Sequence, residues 1–412
     1  MKILIRIIQS KVKVDKMVKK SSKSIPSIFK GLRLMDSKKK VVFCKRCVLS
    51  NQRPRTMFNE DGVCAPCLYA EFKRTSIDWD KREKELEELC DKHRSKDGSW
   101  DVVVPGSGGK DSSYVSVMLK EKFGMHPLTV TWASAITTDI GKQNLDAFIR
   151  SGFDNVLGTP DGKVHQKLSQ ITFKEFGDNF LAFGYGQLNF PIQTAVRYKI
   201  PLVMFGEDGD VEYGGSFERY DIPKFDFDYM VKTKFTSYPP EYWKSFGMKP
   251  EDLQRYSLPP LKEIKSNNVE VHYFSYYDFW DPQKHYDVAK KSTGFKPNPE
   301  GRSEGTYTDF ASLDDKTDGF HYYMAFIKFG TGRATSDAQH QIRDGVLTRD
   351  EGVDLVRQYD GEFPTRDLKE FLEYMEMDMN TLYRTIDKFR KPLIWKKIND
   401  EWKLRQQVTK LK

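Results

Sequence analysis

One stretch constrains the fold of this chain more than any other: Asp101 to Ser113, which reads Asp-Val-Val-Val-Pro-Gly-Ser-Gly-Gly-Lys-Asp-Ser-Ser. Three consecutive valines are the pattern of a short strand covered on both faces. Gly106, Gly108 and Gly109 then allow backbone turns that a Cβ would obstruct. A helical pattern follows from Ser113 to Phe123. A strand that turns tightly into a helix is the start of a parallel sheet, since parallel neighbours need a helical crossover between them. The alternation continues with a strand at Leu128 to Thr131, a helix at Asn144 to Ser151 and a strand at Val156 and Leu157. Lys163 to Tyr198 reads as a helical zone interrupted around Gly184 and Gly186. Strands at Pro201 to Phe205 and Val269 to Phe274 complete the set, giving an α/β fold with helices on both faces. Beyond Phe320 the pattern is helical, with a capping box at Thr348 to Glu351 and Thr365 as the next cap.

Glycine-rich loops of this kind cradle phosphate, because several backbone N–H groups converge and the helix behind them adds its positive end. Two common versions are excluded. The Walker loop needs Ser or Thr after its lysine, and here Asp111 follows Lys110. The dinucleotide fingerprint needs a third glycine where Ser112 or Ser113 stands. Glu207 and Asp208, at the end of a later strand, fall on the rim where parallel sheets bind ligands. Metal or substrate contact and plain surface carboxylates are both open readings for them.

Cys44-Lys-Arg-Cys47 and Cys64-Ala-Pro-Cys67 are two Cys-x-x-Cys knuckles sixteen residues apart. That spacing lets four thiolates meet around one zinc ion, and a closed four-thiolate site has a structural role. An iron–sulfur cluster uses the same ligands, so the spacing leaves that choice open. The fifth cysteine, Cys90, sits in a charged helical stretch without a nucleophile turn around it. It reads as a surface or core thiol, and a glutaminase half would need an activated one.

The net charge of +8 is unevenly placed. Residues 1 to 40 hold thirteen Lys and Arg against two Asp, which leaves −3 on the other 372 residues. The body therefore lacks the basic stripe of a nucleic-acid binder. The first 40 residues read as a basic arm whose apolar start, Ile3 to Ile8, suits peripheral contact with an anionic membrane. With neither a spanning apolar run nor a signal-peptide pattern, the expected location is cytoplasmic. The expected modules are the arm at 1–40, a zinc ribbon at 41–72 and a helical connector at 73–100. A nucleotide domain at 101–280, with an aromatic insertion at 213–262, and a C-terminal helical region at 281–412 follow.

Ser107-Gly-Gly-Lys-Asp-Ser112 resembles the PP-loop of the N-type ATP pyrophosphatase superfamily, whose fold is the adenine nucleotide alpha hydrolase-like (HUP) sheet. The resemblance implies cleavage of ATP between the α and β phosphates. It places Ser107, Ser112 and the Gly108 and Gly109 amides on pyrophosphate oxygens, Lys110 on the outgoing phosphates and Asp111 near Mg2+. Thr131, Trp132 and Asp139 fall where this superfamily holds adenine, and Gly206 with Glu207 at a second ATP-facing strand end.

Taken with the cysteine quartet, Thr138-Asp139-Ile-Gly-Lys, Phe205-Gly-Glu-Asp-Gly-Asp-Val-Glu-Tyr213, Ile327-Lys-Phe-Gly-Thr-Gly-Arg333 and Ser336-Asp-Ala-Gln-His-Gln-Ile-Arg343 resemble the N-acetyl sugar amidotransferases of bacterial surface-polysaccharide (O-antigen, lipopolysaccharide) biosynthesis. The resemblance runs from about Cys44 to Phe363. It implies adenylation of an acetamido oxygen on an N-acetylated nucleotide sugar, and displacement of AMP by ammonia from a separate class I glutaminase subunit. Lys328 and Arg333 resemble downstream residues that grip pyrophosphate. Asp208, Glu304, Tyr307 and the aromatics of the insertion are the candidates for the sugar pocket, although most such aromatics belong to a core. The rivals are a PP-loop tRNA-modifying enzyme of the thiolase type, which would need a reactive thiol beside the loop, and a non-catalytic zinc-ribbon adaptor.

Overall fold

The structure, a computed structural model, describes residues 26–38, 40–214, 220–225, 227 and 240–411. The apolar start of the basic arm and part of the aromatic insertion lie outside the described residues. Five parallel strands form the central sheet: β1 (Val102–Pro105), β2 (Pro127–Trp132), β3 (Asp154–Gly158), β4 (Leu202–Phe205) and β5 (Glu270–Tyr273). Their spatial order is β3-β2-β1-β4-β5, with Val102 beside both Pro127 and Leu202. The chain thus winds outward from β1 in one direction and later in the other. This places a topological switch point, where open α/β sheets hold ligands, between the carboxyl ends of β1 and β4.

The valine run sets the layers, because alternate side chains leave opposite faces of the sheet. Val103 packs with Leu128, Val130, Val203 and Val271 on one face. Val102 and Val104 pack with Leu202, Met204 and Phe274 on the other. Helix α1 (Ala65–Thr75) starts at the second knuckle, with Cys64 as its N-cap and Cys67 in its first turn, and α2 (Trp79–His93) follows it closely. Leu86, Leu89 and Cys90 of α2 join the second layer, so the stretch expected to be a connector covers the sheet. The same face receives α3 (Lys110–Val117), which starts three residues before the sequence pattern indicated. Next come α4 (Asp139–Arg150), then α5 (Gly162–Phe176) and α6 (Leu181–Tyr198), which cover the first face with Leu168, Phe190, Ile192 and Ala195.

The helical zone breaks at Gly177, whose φ of 60° ends α5 in the left-handed region, and not at Gly184 or Gly186. Gly186 lies inside α6 because a Cβ there would come within 2.0 Å of the Trp132 ring. Of the insertion, Phe225, Trp243, Met248, Leu253 and Tyr256 are buried in the first-face core, as ordinary core aromatics are.

Helix α7 (Pro282–Ser292) packs along α3, and residues 313–318 then cross the carboxyl rim of the sheet. Thr137 bridges to Asp315, and Thr138 N–H donates to the Asp314 carbonyl at 3.2 Å. The rest of the chain forms α8 (Asp318–Phe329), α9 (Arg333–Arg343), α10 (Arg349–Tyr359), α11 (Leu368–Met375) and α12 (Met379–Phe389) around Phe320 stacked on Phe371. The capping box opens α10 as expected. Thr365 caps nothing: its hydroxyl donates to Glu304, and Asp367 precedes α11 instead. An antiparallel hairpin, β6 (Trp395–Ile398) and β7 (Glu401–Leu404), closes a region expected to be helical. Asn399 and Asp400, both at positive φ, make its two-residue turn.

In the cysteine module, Arg33–Leu34 pairs with Met57–Phe58, and Phe29 is buried against Phe72 and Tyr220. The later part of the supposed arm is therefore docked on this module. No helix among the described residues is long and apolar enough to cross a membrane.

Candidate active site at the sheet switch point

The loop after β1 is held from three sides. Gly106 N–H donates to the Val130 carbonyl at 2.9 Å, and Thr131 Oγ1 donates to the Gly106 carbonyl at 2.5 Å. Gly108 adopts φ +81° with α4 beneath it, where a Cβ would meet the Asn144 carbonyl oxygen at 2.6 Å. Gly109 caps α3 without any side-chain hydrogen bond, so the first N–H groups of that helix face the loop without a capping side chain. Gly108→Ala combines a disfavoured φ with a backbone clash. We expect a loss of about 1–3 kcal/mol by chemical denaturation and weaker ATP binding by calorimetry.

Lys110 Nζ donates to both oxygens of Asp111, at 2.7 and 2.8 Å. Asp111 is also fixed from below by His285 Nδ1 at 2.8 Å. His285 is fully buried between Tyr114, stacked at 4.1 Å, and the edge of Trp280. Enclosure in the cleft works to raise the Asp111 carboxyl, but Lys110 and His285 outweigh it and hold the group below its ordinary range. Its side chain still keeps 43 % of its area accessible, facing a cavity of about 330 Å³. Gly206, Glu207, Phe205, Gln187 and Trp280 line the same cavity, which spans the β1 and β4 strand ends.

Glu207 is pushed up to about 8 by burial first, then by Asp111 and Glu212, with Lys110 opposing. Tyr213 hydrogen-bonds this carboxyl, and its Oε2 has no hydrogen-bond partner. An ionised Asp111 beside a carboxyl that resists ionisation is a pair suited to a divalent cation, which would draw the second proton off. The raised value also has a sign in stability. The folded protein keeps a proton that the unfolded chain, with an ordinary value near 4.5, releases. That contribution is full below pH 4.5 and is lost as pH rises to about 8. Glu207→Gln stays neutral throughout, so its melting temperature should overtake that of the wild type by about 2 °C or more between pH 5 and pH 8. An unchanged gap across that window would contradict the assignment.

The structure gathers some expected residues here and ties others elsewhere. Ser107 Oγ donates to Asp314 Oδ2 at 2.6 Å, a carboxyl raised by burial that the sequence did not single out. Ser112 Oγ donates to the Gly109 carbonyl at 3.1 Å. Asp208 is buried beside Glu207, its N–H donating to Ser275 Oγ. Arg333, at the start of α9, has Nε 3.0 Å from Asp337 and an N–H donating to Tyr322 Oη at 2.5 Å, and its charge acts on Tyr213, the residue bonded to Glu207.

Thr131 is used to hold the loop stem, and the Trp132 ring is buried against Phe190 and Tyr256, so neither side chain faces a nucleotide. Asp139 lies exposed on the first turn of α4. Lys328 donates to the Phe176 carbonyl and lies 3.9 Å from Asp178, a pairing that follows from the Gly177 turn. Glu304 accepts from Thr365 and Arg366, and Tyr307 donates to Gln341 at 2.8 Å within a core that includes Val353. His285, Asp314 and His340 are the site residues that motif spacing alone did not assign, whereas Tyr213 is one of the insertion aromatics expected at a pocket.

The four quartet sulfurs lie within 4.8 Å of one another, with Cys44–Cys67 at 3.9 Å and Cys47–Cys64 at 3.6 Å. Backbone N–H groups of Arg46, Cys47 and Cys64 point at Cys44 Sγ. Four thiols gathered in this way can hold a metal ion. Arg349 clamps the quartet to α10 through the carbonyls of Cys44 and Cys47, each at 3.2 Å. Cys90 is buried, and burial pushes its thiol up to about 12.

Residues 304–409 match the family model described as "LPS biosynthesis protein WbpG-like, C-terminal domain". This segment supplies Arg333 and His340. A stretch of 89 residues is 32% identical to "Uncharacterized protein MJ1599" of Methanocaldococcus jannaschii, covering 21% of this chain and 31% of that protein, so the chain matches under a third of its relative's length. The U34-tRNA thiolase NcsA from Methanococcus maripaludis with its [4Fe-4S] cluster superposes over 65% of this chain and 79% of that one, at 13% identity and a TM-score of 0.29. A likeness that low transfers neither fold nor activity.

Proposed function

We propose that this chain is an ATP-dependent amidotransferase that converts an acetamido group on an N-acetylated, nucleotide-linked sugar into an acetamidino group for surface-polysaccharide assembly. The observation that carries the reading is one cleft built from two parts. The glycine-rich loop at the sheet switch point meets, through Ser107 on Asp314 and Lys110 over the Phe310 ring, a segment that matches a lipopolysaccharide-biosynthesis domain.

An amide carbon resists ammonia because its oxygen leaves poorly. In the proposed reaction the acetamido oxygen attacks the α-phosphorus of ATP, the bond to the bridging oxygen breaks, and pyrophosphate departs with that electron pair. Ammonia then adds to the activated carbon and loses protons, and the C–O bond breaks to release AMP. The loop amides, Lys110 and Arg333 suit the charge that accumulates on pyrophosphate, since they are fixed before the reaction begins. Asp111 and Glu207 would hold Mg2+, which supplies charge neutralisation at the phosphates.

Zinc is the metal we assign to the quartet. Four thiolates around one ion with bonds of about 2.3 Å stand about 3.8 Å apart, in line with the 3.6 and 3.9 Å separations. A cluster of several irons spreads its thiolates further. The raised, buried Cys90 supports an outside source of ammonia, a separate glutaminase, and it weighs against sulfur transfer to tRNA, which needs a reactive thiol at the loop. An adaptor without catalysis has no use for the Lys110–Asp111–His285 arrangement. Contact of residues 1–25 with a membrane surface remains part of the proposal.

Mass spectrometry of an N-acetylated uridine-diphosphate sugar after incubation with ATP, Mg2+ and ammonium tests this. The expected product has one oxygen replaced by NH. An unaltered sugar across a panel of mono- and diacetamido substrates, with AMP formed regardless, would overturn the assignment of substrate.

A further inference from the structure

Beside Tyr213, at the edge of the cleft, positive charge accumulates with few carboxylates to balance it. Arg53, which follows the first knuckle of the metal module, holds its guanidinium 5.9 Å from the centre of the Tyr213 ring. Burial is the strongest influence on it, followed by the Tyr213 hydroxyl, Arg343, the Tyr322 hydroxyl and Arg55. Arg343, from the end of α9, donates to the Glu212 carbonyl at 3.0 Å and to Gln339 Oε1 at 3.2 Å, both neutral acceptors, while Cys67, Cys47 and Cys64 of the quartet, and then the Glu212 carboxylate, act on it from further off. The Glu212 carboxylate itself is taken by Lys73, at 2.7 and 2.9 Å. Arg333, bonded to Tyr322, has Asp337. His340, its ring 4.5 Å from Tyr213, buries Nε2 without a hydrogen-bond partner.

Three guanidiniums thus share one closely bonded carboxylate in a half-buried setting, an arrangement that costs free energy unless an anion joins it. Planar guanidinium forks match phosphoryl oxygens two at a time. A single carboxylate would leave most of these donors idle, whereas a diphosphate offers two phosphoryl groups and charge enough for three arginines. Their origins matter too. Arg53 comes from the metal module, Tyr213 from the segment after β4, and Arg333 and Arg343 from the two ends of α9. The cluster is complete only when the three parts are docked.

We propose that Arg53 and Arg343, with Arg333, bind a diphosphate group, so that the metal module contributes a ligand-binding arginine as well as its fold. The diphosphate comes either from ATP, as the leaving pyrophosphate, or from the nucleotide carrier of the sugar. The second source rests on the function proposed above, but binding of the anion does not.

The test is isothermal titration calorimetry of the full, metal-loaded chain with inorganic pyrophosphate and, separately, with uridine diphosphate. Wild type is compared with Arg53→Met, Arg53→Lys and Arg343→Met, and metal content and melting temperature are measured for each. We expect at least one ligand to bind about tenfold more weakly to both Met variants and to recover partly in Arg53→Lys. Weakening of pyrophosphate alone assigns the pocket to ATP, and weakening of uridine diphosphate alone assigns it to the carrier. Wild-type affinity for both ligands in metal-loaded Arg53→Lys and Arg343→Met overturns the proposal, whatever the fate of Arg53→Met. Because no turnover is read, failure of the sugar reaction leaves this result interpretable.

Discussion

Lys110→Ala should release pyrophosphate from ATP on the order of 10²–10³ times more slowly than the wild type, as loss of a preorganised charge at a leaving group does, while the melting temperature stays close to unchanged. The asymmetry follows from where Lys110 sits. Its ammonium is bonded to Asp111 at the mouth of the loop and makes no contact that the sheet core depends on. Removing it frees an Asp111 still held by His285, so the carboxyl should rise toward its ordinary range while staying ionised at neutral pH. Pre-steady-state measurement of pyrophosphate, alongside circular dichroism, separates the two effects. A variant that kept within tenfold of wild-type turnover would remove the loop from the chemistry.

Cys44→Ser should be lost in the opposite way, through the fold. Cys44 Sγ accepts three backbone N–H groups and faces the other three sulfurs, and the module's core of Phe29, Leu49, Phe58 and Leu68 is wrapped around it. Four-thiolate zinc binding supplies about 10–16 kcal/mol in small metal-dependent domains, as much as the whole net stability of about 5–15 kcal/mol of an ordinary protein. The variant should therefore retain well under one metal equivalent by elemental analysis and unfold its module far below the wild-type transition. Arg349 ties Cys44 and Cys47 to α10 and Arg53 leans on Tyr213, so the damage should reach the cleft. Full metal occupancy with an unchanged melt would contradict a metal-built module.

The parts of this molecule that could be read from residue order are those governed by local rules. Val102 to Val104 announce a two-faced strand, Gly108 a left-handed turn in the glycine-rich loop, and the paired knuckles a cluster of four thiols, each because the requirement is met within a few residues. The turn that splits α5 from α6 shows how such rules mislead. Gly177, Gly184 and Gly186 all look like helix breakers, but only Gly177 takes a positive φ, and Gly186 is required by Trp132 from a distant strand. The Asn399-Asp400 hairpin was visible in principle, since both residue types accept positive φ, but a helical context masked it.

Site residues divide the same way. Lys110 and Asp111 follow from the loop, whereas His285 and Asp314 reach it only through α7 and the rim segment, across 174 and 207 residues of chain. No spacing rule spans such distances. Lys328 and Tyr307 drew attention as charged and aromatic residues in distinctive stretches, and tertiary packing spent both on structure.

Phosphorus NMR of the nucleotides during turnover, with ATP, Mg2+, ammonium and an N-acetylated nucleotide sugar present, addresses the central claim directly. AMP and pyrophosphate are expected in equal amounts, neither accumulating when sugar or ammonium is left out. ADP and inorganic phosphate as the products would contradict it.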